Sequence, residues 1–261
     1  MFFNIPSNPN ITDIPGLAIS KSKTLAKWFP ACVDGLQAGT TAGCSWEASR
    51  DGGPVTPTPG TDIPVPPGTS NPSETKTTLD KLKVEEPQKV DYDREEWNHW
   101  TSQGSGCWDT RDKVLYDEAV KGSVVLADKN KKTTTDLASA CSVTSGKWLD
   151  PYTGVEITNP KELDIDHMIP LSYAAKHGGQ AWSEDKKEQF ANDLSNPQHL
   201  LAVKLSENRT KGDKGPGSWR PSNTAYQCQY ATDWIGISTN YSLSISSADK
   251  KALTEMLATC K

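Results

Sequence analysis

The chain has 261 residues, with 28 basic and 33 acidic side chains, 6 cysteines and a formal net charge of −5. This length fits one large domain, or one domain with appendages. The negative charge excludes a protein that coats nucleic acid through a general cationic excess, so any chemistry on nucleic acid must come from a local site.

The N-terminal part, residues 1–53, contains two cysteines and balanced charges. A unit this small needs a covalent staple, so we predict a small cysteine-containing module whose role the sequence does not give. A proline-rich stretch over residues 54–73 favours an extended linker. Residues 74–96, with 5 basic and 8 acidic side chains, continue this linker or form a solvated helix. The main domain is predicted over residues 96–261.

Short periodic segments in the main domain predict a mixture of helices and strands. Ser183 and Ser246 are typical N-caps, and each precedes a helical pattern. The predicted helices cover residues 109–119, 183–192 and 246–260, and the predicted strands cover residues 124–126, 141–148 and 200–203.

The most informative stretch begins with Asp164-Ile165-Asp166-His167, in which polar and apolar residues alternate as at the end of a strand. Asp164 and Asp166 are then expected on one face, with His167 on the other face or at the bend. The strand over residues 200–203 follows, and a short helix that carries Asn208 comes after it. The predicted order is therefore strand, strand, helix.

This order resembles the ββα-metal (HNH) nuclease motif. The residue pattern is similar to a family of secreted bacterial HNH-type endonucleases, through Asp-Ile-Asp-His-x-x-Pro-Leu at residues 164–171, Phe-Ala-Asn-Asp at 190–193 and Asn-Arg-Thr-Lys-Gly-Asp at 208–213. The resemblance covers residues 96–261 and none of residues 1–95. It implies an α+β fold with a ββα-metal (His-Me finger) core, additional helices and disulfides.

The residue types in this stretch suit phosphodiester hydrolysis, which needs an activated water and a counter-charge for the phosphate. His167 has a near-neutral reference pKa and suits a general base. Asp166 and Asn208 offer hard oxygen ligands for one divalent ion, with Mg²⁺ expected and Mn²⁺, Ca²⁺ or Zn²⁺ as alternatives. The resemblance implies the same roles for these three residues.

The middle position of the motif leaves alternatives open. His199 stands where the motif commonly has asparagine, and it could fix the loop that carries the base, bind the metal or donate a proton. Asn192 is a competing candidate for the same role. Asp164 is expected either to orient His167 or a bound water, or to be an ordinary strand residue. The resemblance also suggests a catalytic role for Arg111.

A local excess of basic residues accompanies the helix of Asn208. Between residues 197 and 220 there are 5 basic and 2 acidic side chains. Four of them are expected to hold substrate phosphates: Arg209, Lys211, Lys214 and Arg220.

The even cysteine count predicts three disulfides and an oxidising compartment, with six reduced cysteines as the alternative. No two cysteines have C-x2-C spacing, which disfavours a zinc knuckle. The sequence does not choose among the possible pairings, and we expect the sequential one: Cys32–Cys44, Cys107–Cys141 and Cys228–Cys260.

Together these features predict a metal-dependent endonuclease that cuts DNA, with RNA as a further substrate, at low sequence specificity. One alternative is a nuclease toxin or effector, in which residues 1–53 serve delivery and contact a cell surface, a particle or an immunity protein. Another is a non-catalytic virion or cell-surface DNA-binding protein that keeps an HNH shell.

The expected location is secreted or extracytoplasmic, in a bacterium or carried by a phage. The first residues show no charged and apolar regions typical of a signal peptide, so we expect either that a signal has been removed or that export uses another route, such as a phage particle or a dedicated secretion machine. No apolar run is long enough for a membrane span, and a monomer is expected.

Overall fold

The computed structural model of the chain describes residues 71–103 and 107–260. They belong to one unit, Thr61–Lys261. The predicted N-terminal module, with its proposed Cys32–Cys44 pair, lies outside these residues. The described part is a mixed α/β structure with three small sheets.

The first helix, α1 (Pro72–Lys81), begins at Asn71, whose side-chain oxygen accepts a hydrogen bond from the Ser73 amide. Leu79 on this helix is fully buried in a core shared with later helices. Part of the charged stretch that was predicted as linker or solvated helix is therefore a helix that belongs to the folded unit, because one apolar side chain anchors it.

Helix α2 (Thr110–Glu118) begins at Asp109, as the sequence predicts. An antiparallel sheet follows, in the order β2–β1–β3, formed by β1 (Val125–Asp128), β2 (Thr133–Thr134) and β3 (Ala140–Ser145). A second sheet pairs β4 (Trp148–Leu149) with β5 (Glu156–Ile157).

The single strand predicted over residues 141–148 is in fact two strands, β3 and β4, which belong to different sheets. Gly146 lies between them, and a Cβ atom there would stand 2.6 Å from the indole of Trp148. This close approach allows the chain to fold back over the buried Trp148 ring, which a continuous strand would not permit.

The third sheet is an antiparallel pair of β6 (Leu163–His167) and β7 (Leu200–Lys204), with Asp166 opposite Leu201 and His167 opposite Leu200. Two helices lie between the strands in sequence, α3 (Leu171–Lys176) and α4 (Glu184–Ala191). Helix α5 (Leu205–Lys211) follows β7 directly. The predicted order of strand, strand and helix is thus present in the structure.

Both faces of the β6–β7 pair are covered, which explains why β7 is almost entirely apolar. Leu201 and Val203 face a core formed with α1, α3, α4 and the last two helices. Leu163, Ile165 and their neighbours face a second core formed with α2 and the other two sheets.

The chain ends in two packed helices, α6 (Gln227–Tyr241) and α7 (Ser247–Leu257). A capping box between Ser246 and Asp249 starts α7, in agreement with the predicted N-cap. The disulfides Cys107–Cys141 and Cys228–Cys260 are present as predicted. Among the helices that the structure describes, none is long and apolar enough to cross a membrane.

Candidate active site

His167 lies at the end of β6, where its imidazole is directed toward the C-terminal end of α4. Its Nε2 atom is 2.9 Å from the carbonyl oxygen of Ala191. Because a carbonyl oxygen can only accept, Nε2 carries the hydrogen and Nδ1 is the basic nitrogen. Within residues 71–103 and 107–260, Nδ1 makes no hydrogen bond of its own.

The surroundings of His167 keep its imidazole neutral. Burial lowers the pKa of His167 well below its usual value, and the positive charges of Arg94 and Lys211 act in the same direction. The hydrogen bond to Ala191 opposes this effect only in part. A neutral imidazole with a free Nδ1 is able to accept a proton from water.

Asp166 lies on the opposite face of β6 and is buried, with both carboxylate oxygens engaged. The hydroxyl of Tyr152 donates to Oδ2 at 2.5 Å, and the ammonium of Lys211 donates to Oδ1 at 2.8 Å. Lys211 also donates to the carbonyl oxygen of His167 at 2.8 Å. Burial raises the pKa of Asp166 and lowers that of Lys211, whereas their attraction favours both charged forms.

The turn after β4 holds Tyr152 in place for its contact with Asp166. The carboxylate of Asp150 accepts hydrogen bonds from the backbone amides of Thr153 at 3.1 Å and of Lys204 at 3.2 Å. The second of these bonds ties the turn to the end of β7. Asp150 is fully buried, so these bonds satisfy a carboxylate that water does not reach.

Asp164 and Asn208 are partly exposed and lie on the same side of the β6–β7 pair as Asp166. The Nδ2 atom of Asn208 is 3.3 Å from Oδ2 of Asp164. Asp164 is close enough to Asp166 for their charges to interact unfavourably. Helix α5 thus brings Asn208 to one aspartate and Lys211 to the other.

This donor set fits a hard divalent cation in its chemistry. Two carboxylates and one amide oxygen are ligands that Mg²⁺ accepts, and one ammonium does not neutralise two carboxylates. Residues 71–103 and 107–260 contain no cluster of three or more histidine, cysteine, aspartate or glutamate residues that could hold a metal ion. A third oxygen would have to come from Asn208, whose amide nitrogen faces Asp164 in the structure.

His199 is fully buried beneath the site. Its Nε2 atom lies 2.7 Å from the carbonyl oxygen of Phe190, and its own carbonyl accepts the Met168 amide at 2.9 Å. Burial lowers the pKa of His199 to about 4. These contacts join the end of α4 to the two strand ends, which favours the loop-fixing alternative over a ligand or proton donor.

Asn192, the competing candidate, fastens a different segment. Its Oδ1 atom accepts the Thr101 amide at 3.0 Å and the Thr110 hydroxyl at 2.7 Å. Its Nδ2 atom donates to the carbonyl oxygens of Asn98 at 2.8 Å and Glu188 at 2.9 Å. Asn192 therefore clamps residues 98–101 against α4 and makes no hydrogen bond with His167.

The predicted phosphate-binding residues do not form one continuous basic surface. Lys211 is fully buried, so the expectation that it contacts substrate phosphate is wrong, because its charge is used by Asp166. Arg220 pairs with Glu255 at 2.5 Å, and Lys214 donates to the carbonyl oxygen of Thr210 at 2.6 Å. Arg209 is exposed on α5.

Arg111 acts on the backbone rather than at the site. Its guanidinium donates to the carbonyl oxygens of Pro160 at 3.1 Å and Leu163 at 3.0 Å, which holds α2 against the start of β6. In the structure this residue positions the strand that carries Asp164, Asp166 and His167.

Sequence reasoning missed three contributors to the site. Tyr152 lies in a stretch that the resemblance included, but only the fold shows its contact with Asp166. The Ala191 carbonyl has no sequence signal. Trp100, whose ring centroid is 5.6 Å from that of His167, was not distinguished from the other tryptophans.

Comparison with known proteins gives two matches. The profile of the family described as GmrSD restriction endonucleases, C-terminal domain, matches residues 121–256. A protein of the fungus Arthroderma benhamiae, named only as an uncharacterized secreted protein, is 39% identical over 207 residues, which are 79% of this chain and 93% of that protein. No solved structure matches the chain significantly.

Proposed function

Because the chain belongs to the family of GmrSD restriction endonuclease C-terminal domains, a nuclease family, we propose that it is a metal-dependent endonuclease with a ββα-metal site. The observation that carries this proposal is the hydrogen bond from Nε2 of His167 to the Ala191 carbonyl. It leaves Nδ1 as the basic nitrogen of a neutral imidazole, on the strand that also carries Asp164 and Asp166 on its other face.

In the proposed reaction, Nδ1 of His167 takes a proton from a water molecule whose oxygen attacks the phosphorus. The bond between phosphorus and the leaving 3′-oxygen breaks, and that oxygen takes a proton from solvent. Asp166 and Asn208, with Asp164 beside them, would hold the divalent ion. When bound, this ion supplies positive charge to the phosphate and the leaving oxygen.

Lys211 and Tyr152 fix the rotamer of Asp166, so a cation that binds there would share the carboxylate oxygens with these two donors. His199 and Arg111 hold the two ends of β6 by their contacts with α4 and with the Leu163 carbonyl. We assign positioning roles to these four residues. Exposed Arg209 is the member of the predicted basic set that we propose contacts a phosphate.

We also propose low sequence specificity, since contacts from basic side chains to phosphates carry no base-sequence information. We also propose that the protein acts outside the cell. Its two disulfides are typical of an oxidising compartment, and the Arthroderma relative is named as secreted. That relative is fungal, so an origin in a bacterium or phage stays a prediction.

The test is digestion of single-stranded DNA, plasmid DNA and RNA with Mg²⁺, with and without EDTA. We expect cleavage that EDTA abolishes, and a loss of at least about 100-fold in His167→Ala, since general-base catalysis contributes about that much. His177→Ala is the matched control, because it removes another buried histidine that contacts Ser244 instead. It should leave the rate per folded molecule unchanged. Cleavage that persists in EDTA, or equal rates for both variants, would refute the proposal.

A further inference from the structure

Trp100 has a backbone conformation that its residue type disfavours. Its φ angle is +60°, in the left-handed region that glycine and asparagine normally occupy. For a bulky aromatic residue this conformation is strained, and residues strained in this way cluster at active sites and ligand-binding segments. The surrounding chain must therefore hold Trp100 in place.

The restraint comes from both sides of the residue. Asn192 bonds the Asn98 carbonyl before Trp100 and the Thr101 amide after it. The neighbouring Trp97 is fully buried in the first core. Trp100 is thus displayed on a short segment that is anchored at both ends.

The indole of Trp100 is placed beside the proposed base. Its centroid is 5.6 Å from the His167 ring, with an angle of 36° between the planes. The centroid of the His99 ring lies 5.3 Å from that of Trp100, with an angle of 70° between the planes. Trp100 packs against the second core and is only partly buried, so a part of this residue stays open to solvent.

The positively charged side chain of Arg94 lies close to the same segment. Nδ1 of His99 is 2.9 Å from the Trp97 carbonyl, so it carries the hydrogen, and Nε2 accepts from the guanidinium of Arg94 at 3.3 Å. Arg94 is exposed, and its charge reaches His167. An aromatic surface with a neighbouring guanidinium is the combination by which proteins hold an unpaired nucleotide through base and phosphate.

We propose that Trp100 is a stacking platform for the nucleobase next to the scissile phosphate, so the preferred substrate has unpaired bases. Bases inside a duplex stack on one another and cannot meet the indole unless they are extruded. A single strand can place a base on Trp100 and the adjoining phosphate next to His167. This inference rests on the proposed nuclease function and names its substrate class.

The test uses Trp100→Phe and Trp100→Leu in the full chain. Leucine fills space as an apolar side chain, whereas phenylalanine also keeps a face for stacking. We expect Trp100→Leu to raise KM for a single-stranded oligonucleotide by roughly tenfold or more with little change in kcat, and Trp100→Phe to recover most of the loss. In EDTA, a 2-aminopurine oligonucleotide should be quenched on binding to wild type and to Trp100→Phe, but not to Trp100→Leu.

Trp182→Leu is the matched control, because Trp182 is another partly buried tryptophan that packs on Trp97 and Phe190. It should leave KM and the quenching unchanged. If Trp100→Leu cuts single strands with the KM of wild type, or if Leu and Phe behave alike, the stacking role is wrong while the nuclease function stands. If wild type cuts no nucleic acid, the proposed function itself fails.

Discussion

The ammonium nitrogen of Lys211 lies 2.8 Å from Oδ1 of Asp166, and both side chains are buried. A lysine on α5 therefore neutralises an aspartate on β6, beneath the partly exposed pair of Asp164 and Asn208. The ion pair of Lys211 and Asp166 holds α5 against β6. It also fixes the position of the Asp166 carboxylate, which the proposed mechanism uses.

Replacing Lys211 with methionine should destabilise the fold strongly, because it leaves Asp166 buried without a positively charged partner, although Tyr152 still donates to it. We expect a loss of about 3–5 kcal/mol in the free energy of unfolding, measured by urea denaturation at pH 7. Lys176→Met is the control, since it breaks an exposed pair with Asp213 and should cost at most about 1 kcal/mol. Adding Asp166→Asn to Lys211→Met should restore part of the loss. Equal losses in the two single variants would contradict this account.

The pH dependence of stability should report on His199. Burial lowers its folded-state pKa to about 4 from 6.5 in the unfolded chain. As the pH falls from 6.5 to 4, His199 binds a proton in the unfolded state but stays neutral in the folded state. The free energy of unfolding therefore decreases over this pH range. The histidine accounts for about 3 kcal/mol of this loss.

We therefore expect His199→Asn to flatten the curve of unfolding free energy between pH 6.5 and pH 4. The comparison at pH 7.5, where the histidine is neutral in both states, serves as the reference for packing changes. His167 and His177 also have lowered pKa values, so some acid sensitivity will persist in the variant. Parallel curves for wild type and variant down to pH 4 would show that His199 does not titrate as described.

The rate of cleavage should depend on pH in a way set by His167. Because burial lowers its pKa, the imidazole is already neutral at pH 6.5. We expect kcat/KM to stay level from pH 8 to pH 6.5 and to fall only in more acidic solution, measured at saturating metal and corrected for unfolding. A midpoint at or above pH 7 would mean that another group limits the reaction.

Asn192→Ala should loosen the segment that carries Trp100. It removes four hydrogen bonds. The Thr101 amide and the Thr110 hydroxyl lose Asn192 as their acceptor, and the carbonyl oxygens of Asn98 and Glu188 lose it as their donor. We expect a loss of about 2–3 kcal/mol in unfolding free energy and faster hydrogen exchange at the Thr101 amide.

The control for Asn192 is Asn196→Ala, which removes one side-chain bond to the Gln198 amide. It should cost about 1 kcal/mol and leave exchange at Thr101 unchanged. Unaltered exchange at Thr101 in Asn192→Ala would argue against the clamp.

The local signals in the sequence predicted several elements well. Ser183 and Ser246 cap their helices as expected, and a helix starts at Asp109 as predicted, because a side chain that satisfies a free amide acts within one turn. The alternation in β6 correctly placed Asp164 and Asp166 on one face. Residues 74–96 were predicted as linker or solvated helix, and α1 is a helix, but its attachment to the core was not predictable, because Leu79 packs against elements that come much later in the chain.

The sequence by itself determined the reactive residue types and their order along the chain. Those properties depend on near neighbours or on spacing. The tertiary structure alone decided that Lys211 is buried against Asp166, that His199 and Arg111 bind backbone carbonyls, and that Trp100 stands beside His167. Each of these outcomes depends on which surfaces pack together, because burial turns a basic residue from a phosphate ligand into an internal counter-ion.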